Sequence, residues 1–152
     1  MSYPAPGKLC LAGRVSPGGF AGLNLNFATR NQDGTKILEP FDAASRGITQ
    51  MAFTIDSPPS TGLTIGITAI AQLDCPGDPL ACSSPGFIIE AAATPGPVVV
   101  SLAALKSVDA PTLVLDTSKL DAMFLQYHQA GDYNFCIRDL KFLDAQGNVV
   151  EP

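Results

Sequence analysis

Residues 123–128 read MFLQYH, and the order of these six decides the fold. Met123, Leu125 and Tyr127 alternate with Phe124, Gln126 and His128. A period of two belongs to a strand, whose successive side chains point to opposite faces, and not to a helix with its period of 3.6. The rhythm recurs in both directions. Leu23, Leu25 and Phe27 alternate with Asn24 and Asn26; Met51, Phe53 and Ile55 with Gln50, Ala52 and Thr54; Leu63, Ile65 and Ile67 with Thr64, Gly66 and Thr68. The stretches GFIIEAAA, PVVVSL and YNFCIRDLKFL continue the series.

Between these runs lie dense turn signals: SPGG, NQDG, DSPPSTG, CPGDP, SSPG, TPGP, AGD and AQG. Glycine supplies left-handed backbone, proline presets φ, and Asn, Asp and Ser bond their own local backbone. Short alternating strands at this spacing predict an all-β chain. The expected fold is an antiparallel β-sandwich or jelly roll with at most one or two short helical turns, forming one domain over residues 1–152. Those turns are expected near Leu102–Lys106 and after an N-cap at Asp116 or Thr117.

Composition excludes several classes. Hydrophobic residues make up 46% of the chain and charged residues 15%, which argues for a packed core and against disorder. The net charge is −5, with the cations scattered. No basic stripe exists to neutralise phosphates, so neither nucleic acid nor an anionic membrane surface is an expected partner. No apolar run approaches the ~20 residues that span a bilayer. The start, MSYPAPGKLC, lacks the charged-then-apolar build of a signal peptide. The low charge and the polar, Gly/Pro-rich start suit a module cut from a longer secreted polypeptide, and a monomer is expected.

The four cysteines, at 10, 75, 82 and 136, do not have zinc spacing, and one histidine cannot complete a Cys/His set. Two disulfides in an oxidising, extracytoplasmic setting are the expectation; four buried thiols in a cytosolic protein are the alternative. Three connectivities are open. The loop CPGDPLAC favours closure of Cys75 on Cys82, which leaves Cys10 for Cys136 and ties the first strand to the last.

Catalysis finds little to work with. His128 is the sole histidine, no GxSxG elbow is present, and the aspartates fall mostly in turns. Glu90, in FIIEAAA, is the one carboxylate set in a strongly apolar strand, and a glycosidase would need a second carboxylate facing it. Phosphate loops and dinucleotide fingerprints are absent. The chain reads as a non-enzyme.

A family resemblance adds to this reading. Phe41, Asp42, Gly47, Ile48 and Phe53, then Leu120, Met123, Leu125 and Gln126, then Phe135, Ile137, Arg138, Asp139 and Leu140 follow one another in an order that resembles bacterial carbohydrate-binding modules with the galactose-binding-like jelly roll. GKLCLAGRV followed by GLNLNF is similar to the first strands of that group. The resemblance covers roughly residues 8 to 145 and implies a non-catalytic module attached to a polysaccharide-degrading enzyme, with β-glucan as ligand. It also implies a structural calcium ion at the final strand, carried over to Asp139, although Arg138 stands where the group has an acid. Tryptophan, the usual sugar platform of such modules, is absent.

If one face buries Met51, Phe53, Leu63, Ile65, Met123, Leu125 and Tyr127, the other presents Gln50, Thr54, Thr64, Thr68, Phe124, Gln126 and His128, joined by Asn24 and Asn26. Amides offer paired donors and acceptors to vicinal hydroxyls, and a ring offers its face to the C–H groups of a pyranose. Gly66 and Ala52 would leave a groove between taller side chains, and Tyr133 or Tyr3 would supply the missing flat ring. The competing reading is an extracellular structural or adhesion domain whose polar sheet meets a protein partner.

Overall fold

The computed structural model describes residues 7–33, 37–59, 63–70, 86–90, 94–107 and 111–151. Within them the chain forms twelve strands: β1 (Lys8–Val15), β2 (Ala21–Asn26), β3 (Thr29–Arg30), β4 (Ile37–Glu39), β5 (Gln50–Asp56), β6 (Leu63–Ala69), β7 (Phe87–Glu90), β8 (Gly96–Ser101), β9 (Lys106–Ser107), β10 (Leu120–Tyr127), β11 (Gly131–Leu143) and β12 (Val149–Val150). The only helical element among the described residues is a single 3₁₀ turn at Leu102–Ala104, where one was expected. Near Asp116 the expected cap is instead an Asx turn. There the Asp116 carboxylate accepts hydrogen bonds from the Ser118 backbone N–H at 3.0 Å and its hydroxyl at 2.6 Å.

Every pairing is antiparallel. One sheet runs β1-β11-β5-β8, with β12 beside the far end of β11; the other runs β2-β10-β6-β7-β9. The two stack face to face as a jelly-roll sandwich. Met51, Phe53 and Ile55 of β5, Ile65 and Ile67 of β6, Phe87 of β7, Met123 and Leu125 of β10 and Ile137 of β11 form the core between them, each at most 3% exposed. The alternating apolar set thus lies inside, at ~25 cal/mol per Å² of apolar surface removed from water. At one end Phe41 stacks on Phe142 at 5.2 Å, and Phe27 meets Phe142 edge-on at 5.3 Å.

Two bulges reset the alternation. Between Arg138 and Lys141, β11 carries an extra residue relative to β5. Asp139 takes φ 58° there, a left-handed conformation that a short polar side chain tolerates. Without that residue Ile137 and Phe142 could not both face the core, since five positions separate them. A second irregularity lies between Leu120 and Ala122 of β10, around Asp121.

Cys10 and Cys136 stand opposite one another in the β1–β11 ladder and are joined by a disulfide, with Cα atoms 4.0 Å apart. The expected link between first and last strands is present. Cys75, Cys82 and their proposed closure lie outside the described residues.

The β11–β12 hairpin turns through Asp144, whose carboxylate accepts from the Gln146 and Asn148 backbone N–H groups at 2.9 and 2.8 Å and from the Asn148 amide at 2.9 Å. Gly147, at φ 85°, completes the turn. The bond from the Asn148 side chain, then that from its backbone, outweighs partial desolvation and holds the Asp144 carboxyl below its ordinary range. A depressed folded-state value means that this stabilisation is complete above the unfolded carboxylate value near pH 4 and is lost as pH falls through the folded one. Thermal melts should show this directly. Asp144→Ala is expected to lower the melting temperature at neutral pH and to flatten its decline in acid; an unchanged acid limb would remove Asp144 from that role.

Candidate binding face

The alternation that buries Met123, Leu125 and Tyr127 turns Ala122, Phe124 and Gln126 of β10 to the outer face of the second sheet. Register fixes their neighbours. Gln126 lies between Gly22 and Thr64, Phe124 between Asn24 and Gly66, and Ala122 between Asn26 and Thr68. Asn24, Asn26, Gln126, Thr64 and Thr68 therefore share one face, as expected from sequence. Asn24 and Asn26 are exposed on the edge strand β2, and Gln126, Thr64 and Thr68 are half-buried toward the middle. His128 is exposed just past the end of β10, on the same side by alternation.

Three expected members are placed elsewhere. Gln50 and Thr54 belong to β5, which sits in the other sheet, so their outer side is the far side of the sandwich. Tyr133 lies within β11 on the same parity as Phe135 and Ile137. Its ring packs against Tyr127 at 5.4 Å and Phe135 at 6.4 Å, and cannot serve the polar face. Tyr3 is outside the described residues, as is the Glu90 side chain, although the Glu90 backbone pairs with Thr64.

Phe124 is on the expected face but is not open. It is 7% exposed. Its ring lies across Gly66, where a β-carbon would sit 2.2 Å from Cζ, and reaches Gly86, where the figure is 3.2 Å. The notch left by Gly66 is thus filled by Phe124 and does not serve as a groove. Ala52, the other small residue, is on β5 and borders the opposite surface.

Two features of this face were missed in the sequence. The first is Phe20, 67% exposed, whose ring lies 6.1 Å from that of His128 at an interplanar angle of 38°. Phe20 and His128 sit one step beyond Ala21–Tyr127, the last pair of the β2–β10 ladder. Extending the series Gly22, Asn24, Asn26 back by one member would have found it. The second is the ion pair between Arg30 of β3 and Asp121, with Nη2 to Oδ1 at 2.6 Å and side chains 21% and 17% exposed. The bulge at Asp121 allows its backbone carbonyl to accept from the Phe27 and Ala28 N–H groups at 2.7 and 2.9 Å, while its other carboxylate oxygen accepts from the Thr68 hydroxyl at 3.5 Å. The carboxylate that Asp121 brings to this end of the face is therefore neutralised by Arg30.

From Phe20 to Asn26 the face runs six residue steps along β2, about 20 Å at the usual strand rise. Along β2, β10 and β6 its described side chains are mainly amides, hydroxyls and rings, with one internally compensated ion pair, while Ile88 and the exposed Lys106 share the surface toward β9. Such a surface suits a neutral polyhydroxylated ligand of several units.

The opposite outer surface is charged. Asp56 receives Lys8 at 3.3 Å and Arg138 at 3.3 Å, and Arg138 also holds Asp139 at 2.6 Å. Desolvation pushes the Asp56 carboxyl up, but hydrogen bonds and charge from Lys8 and Arg138 exceed it and leave the carboxyl below its ordinary range. Such exposed pairs are worth little in stability. They bear on calcium, however. The Asp139 carboxylate is engaged by a guanidinium, and the described residues contain no group of three His, Cys, Asp or Glu side chains able to hold a metal ion.

No protein-family model matches the chain, and none of the curated proteins matches its sequence. Solved structures do. A family 11 carbohydrate-binding module from Clostridium thermocellum, in complex with a β-1,3-1,4-mixed-linked tetrasaccharide, superposes with a TM-score of 0.56 at 11% identity, over 94% of this chain and 87% of that one. The family 11 module of a cellulosomal cellulase from the same organism gives a TM-score of 0.54 at 10% identity, over 94% and 86%. This chain has the β-sandwich fold of the family 11 carbohydrate-binding modules.

Proposed function

We propose that this protein is a non-catalytic binding module for a neutral polysaccharide of the β-glucan type, bound along the outer face of the second sheet. The observation that carries the reading is the in-register set Asn24, Asn26, Gln126, Thr64 and Thr68 on one surface of about 20 Å. Paired amide donors and acceptors match the vicinal hydroxyls of a glycan, and the one carboxylate beside them, Asp121, is compensated by Arg30. The shared fold supports the same reading, because one structure with that fold holds a mixed-linkage tetrasaccharide. Attachment to a glycoside hydrolase would raise the enzyme's effective concentration on its polymer. The Cys10–Cys136 disulfide supports a secreted setting.

Affinity electrophoresis tests this against hydroxyethyl cellulose, barley β-glucan, xyloglucan, xylan, mannan and pectin. Retardation by β-glucans and not by pectin is expected; migration unchanged in every gel would end the reading. Gln126 lies between Gly22 and Thr64 in the amide row, so Gln126→Ala should weaken binding by roughly 1–3 kcal/mol, the cost of leaving a sugar hydroxyl unpaired. Titration calorimetry with a retained glucan's oligosaccharide measures it, and wild-type affinity would take β10 out of the site.

A further inference from the structure

We infer that Phe20, braced by the His128 ring, is the stacking platform for a pyranose ring at one end of this face; the inference rests on the proposed carbohydrate reading. The other exposed large hydrophobics among the described residues, Val99, Val114 and Val149, are aliphatic, whereas Phe20 is aromatic and shares its surface with the amide row. Among the described residues the other rings are committed. Phe124 is buried across Gly66 and Tyr133 packs with Tyr127 and Phe135, so neither offers a face to a ligand.

An isolated exposed phenylalanine is ordinary on a protein surface. Phe20 differs because of its surroundings. His128 tilts against one side of it at 6.1 Å, and 67% of the residue stays exposed. Along β2 the next residue on the same face is Gly22, which has no side chain to crowd the ring, and Gly22 is opposite Gln126. Two residue steps span about 6.7 Å, so a sugar stacked on Phe20 adjoins one that the Gln126 amide can reach. The apolar C–H face of the pyranose would lie on the ring, and its equatorial hydroxyls would point sideways toward the amides and the His128 imidazole. In this arrangement Phe20 does the work for which tryptophan is absent from the chain.

The test uses the whole chain with barley β-glucan in affinity gels and a mixed-linkage glucan tetrasaccharide in titration calorimetry. Phe20→Ala should weaken binding about tenfold with an unchanged melting temperature, because so exposed a ring contributes little to the core. Phe20→Trp should bind at least as well as wild type, and Phe20→Leu should lose nearly as much as Phe20→Ala, since stacking needs a π face. His128 ring resonances should shift as the tetrasaccharide is added. If wild type is retarded but Phe20→Ala or Phe20→Leu binds equally well, the platform is refuted and the carbohydrate reading survives. If no polysaccharide retards wild type, both fall together.

Discussion

Replacing Cys10 and Cys136 together by serine is expected to cost about 5 kcal/mol of folding stability, the chain-entropy value for a link spanning 126 residues. Net stabilities of domains are typically about 5–15 kcal/mol, so the variant would stand near its unfolding limit at body temperature. The bond joins residues already opposite in the β1–β11 ladder, so the folded state needs no rearrangement to form it. Its effect falls on the unfolded chain, which must otherwise find the pairing of its first and last long strands by a nearly full-length loop closure. Urea denaturation of the double variant against the oxidised protein reads the difference without disturbing Cys75 and Cys82. A loss under about 1 kcal/mol would mean that the unfolded ensemble is already compact enough for the link to restrict little.

Gly66→Ala is the second large effect, expected near 3 kcal/mol, at the upper end of overpacking costs. A β-carbon there would lie 2.6 Å from the Phe87 carbonyl oxygen as well as 2.2 Å from the Phe124 ring. A ring can swing away, but a carbonyl inside the β6–β7 ladder moves only by disturbing the sheet. The two contacts are separable in a double-mutant cycle. If the ring conflict dominates, Phe124→Ala should cost less in the Gly66→Ala background than in wild type. If the carbonyl conflict dominates, the two costs should simply add. A Gly66→Ala protein as stable as wild type would refute the close approach altogether. Displacing Phe124 would also raise a ring into the polar face, so a folded Gly66→Ala variant should bind glucan more weakly than wild type.

How far the face was legible follows from what alternation can carry. Period two correctly assigned Met51, Phe53, Ile65, Met123, Leu125 and Tyr127 to the interior, because a side chain's face depends only on its position along its own strand. The same rule correctly set Asn24, Asn26, Gln126, Thr64 and Thr68 outward. It could not say that β5 lies in a different sheet from β6 and β10, and so it wrongly joined Gln50 and Thr54 to the others. Tyr133, which follows the AGD turn, was expected to offer its ring to the face, although its parity with Phe135 already pointed inward. Phe124 was placed on the right face, but its burial depends on a hole left by Gly66 on a neighbouring strand.

The sequence by itself determined the long alternating strands and their inward faces, since these rest on local periodicity and turn chemistry, and it favoured, without fixing, the pairing of Cys10 with Cys136 that the structure shows. Only the tertiary structure decided which strands share a sheet, that the bulges at Asp121 and Asp139 shift the rhythm, and that Arg30 neutralises Asp121 across 91 residues. Those outcomes come from long-range pairing and packing, where residues far apart in the chain compete for the same space, and no local pattern records which of them wins.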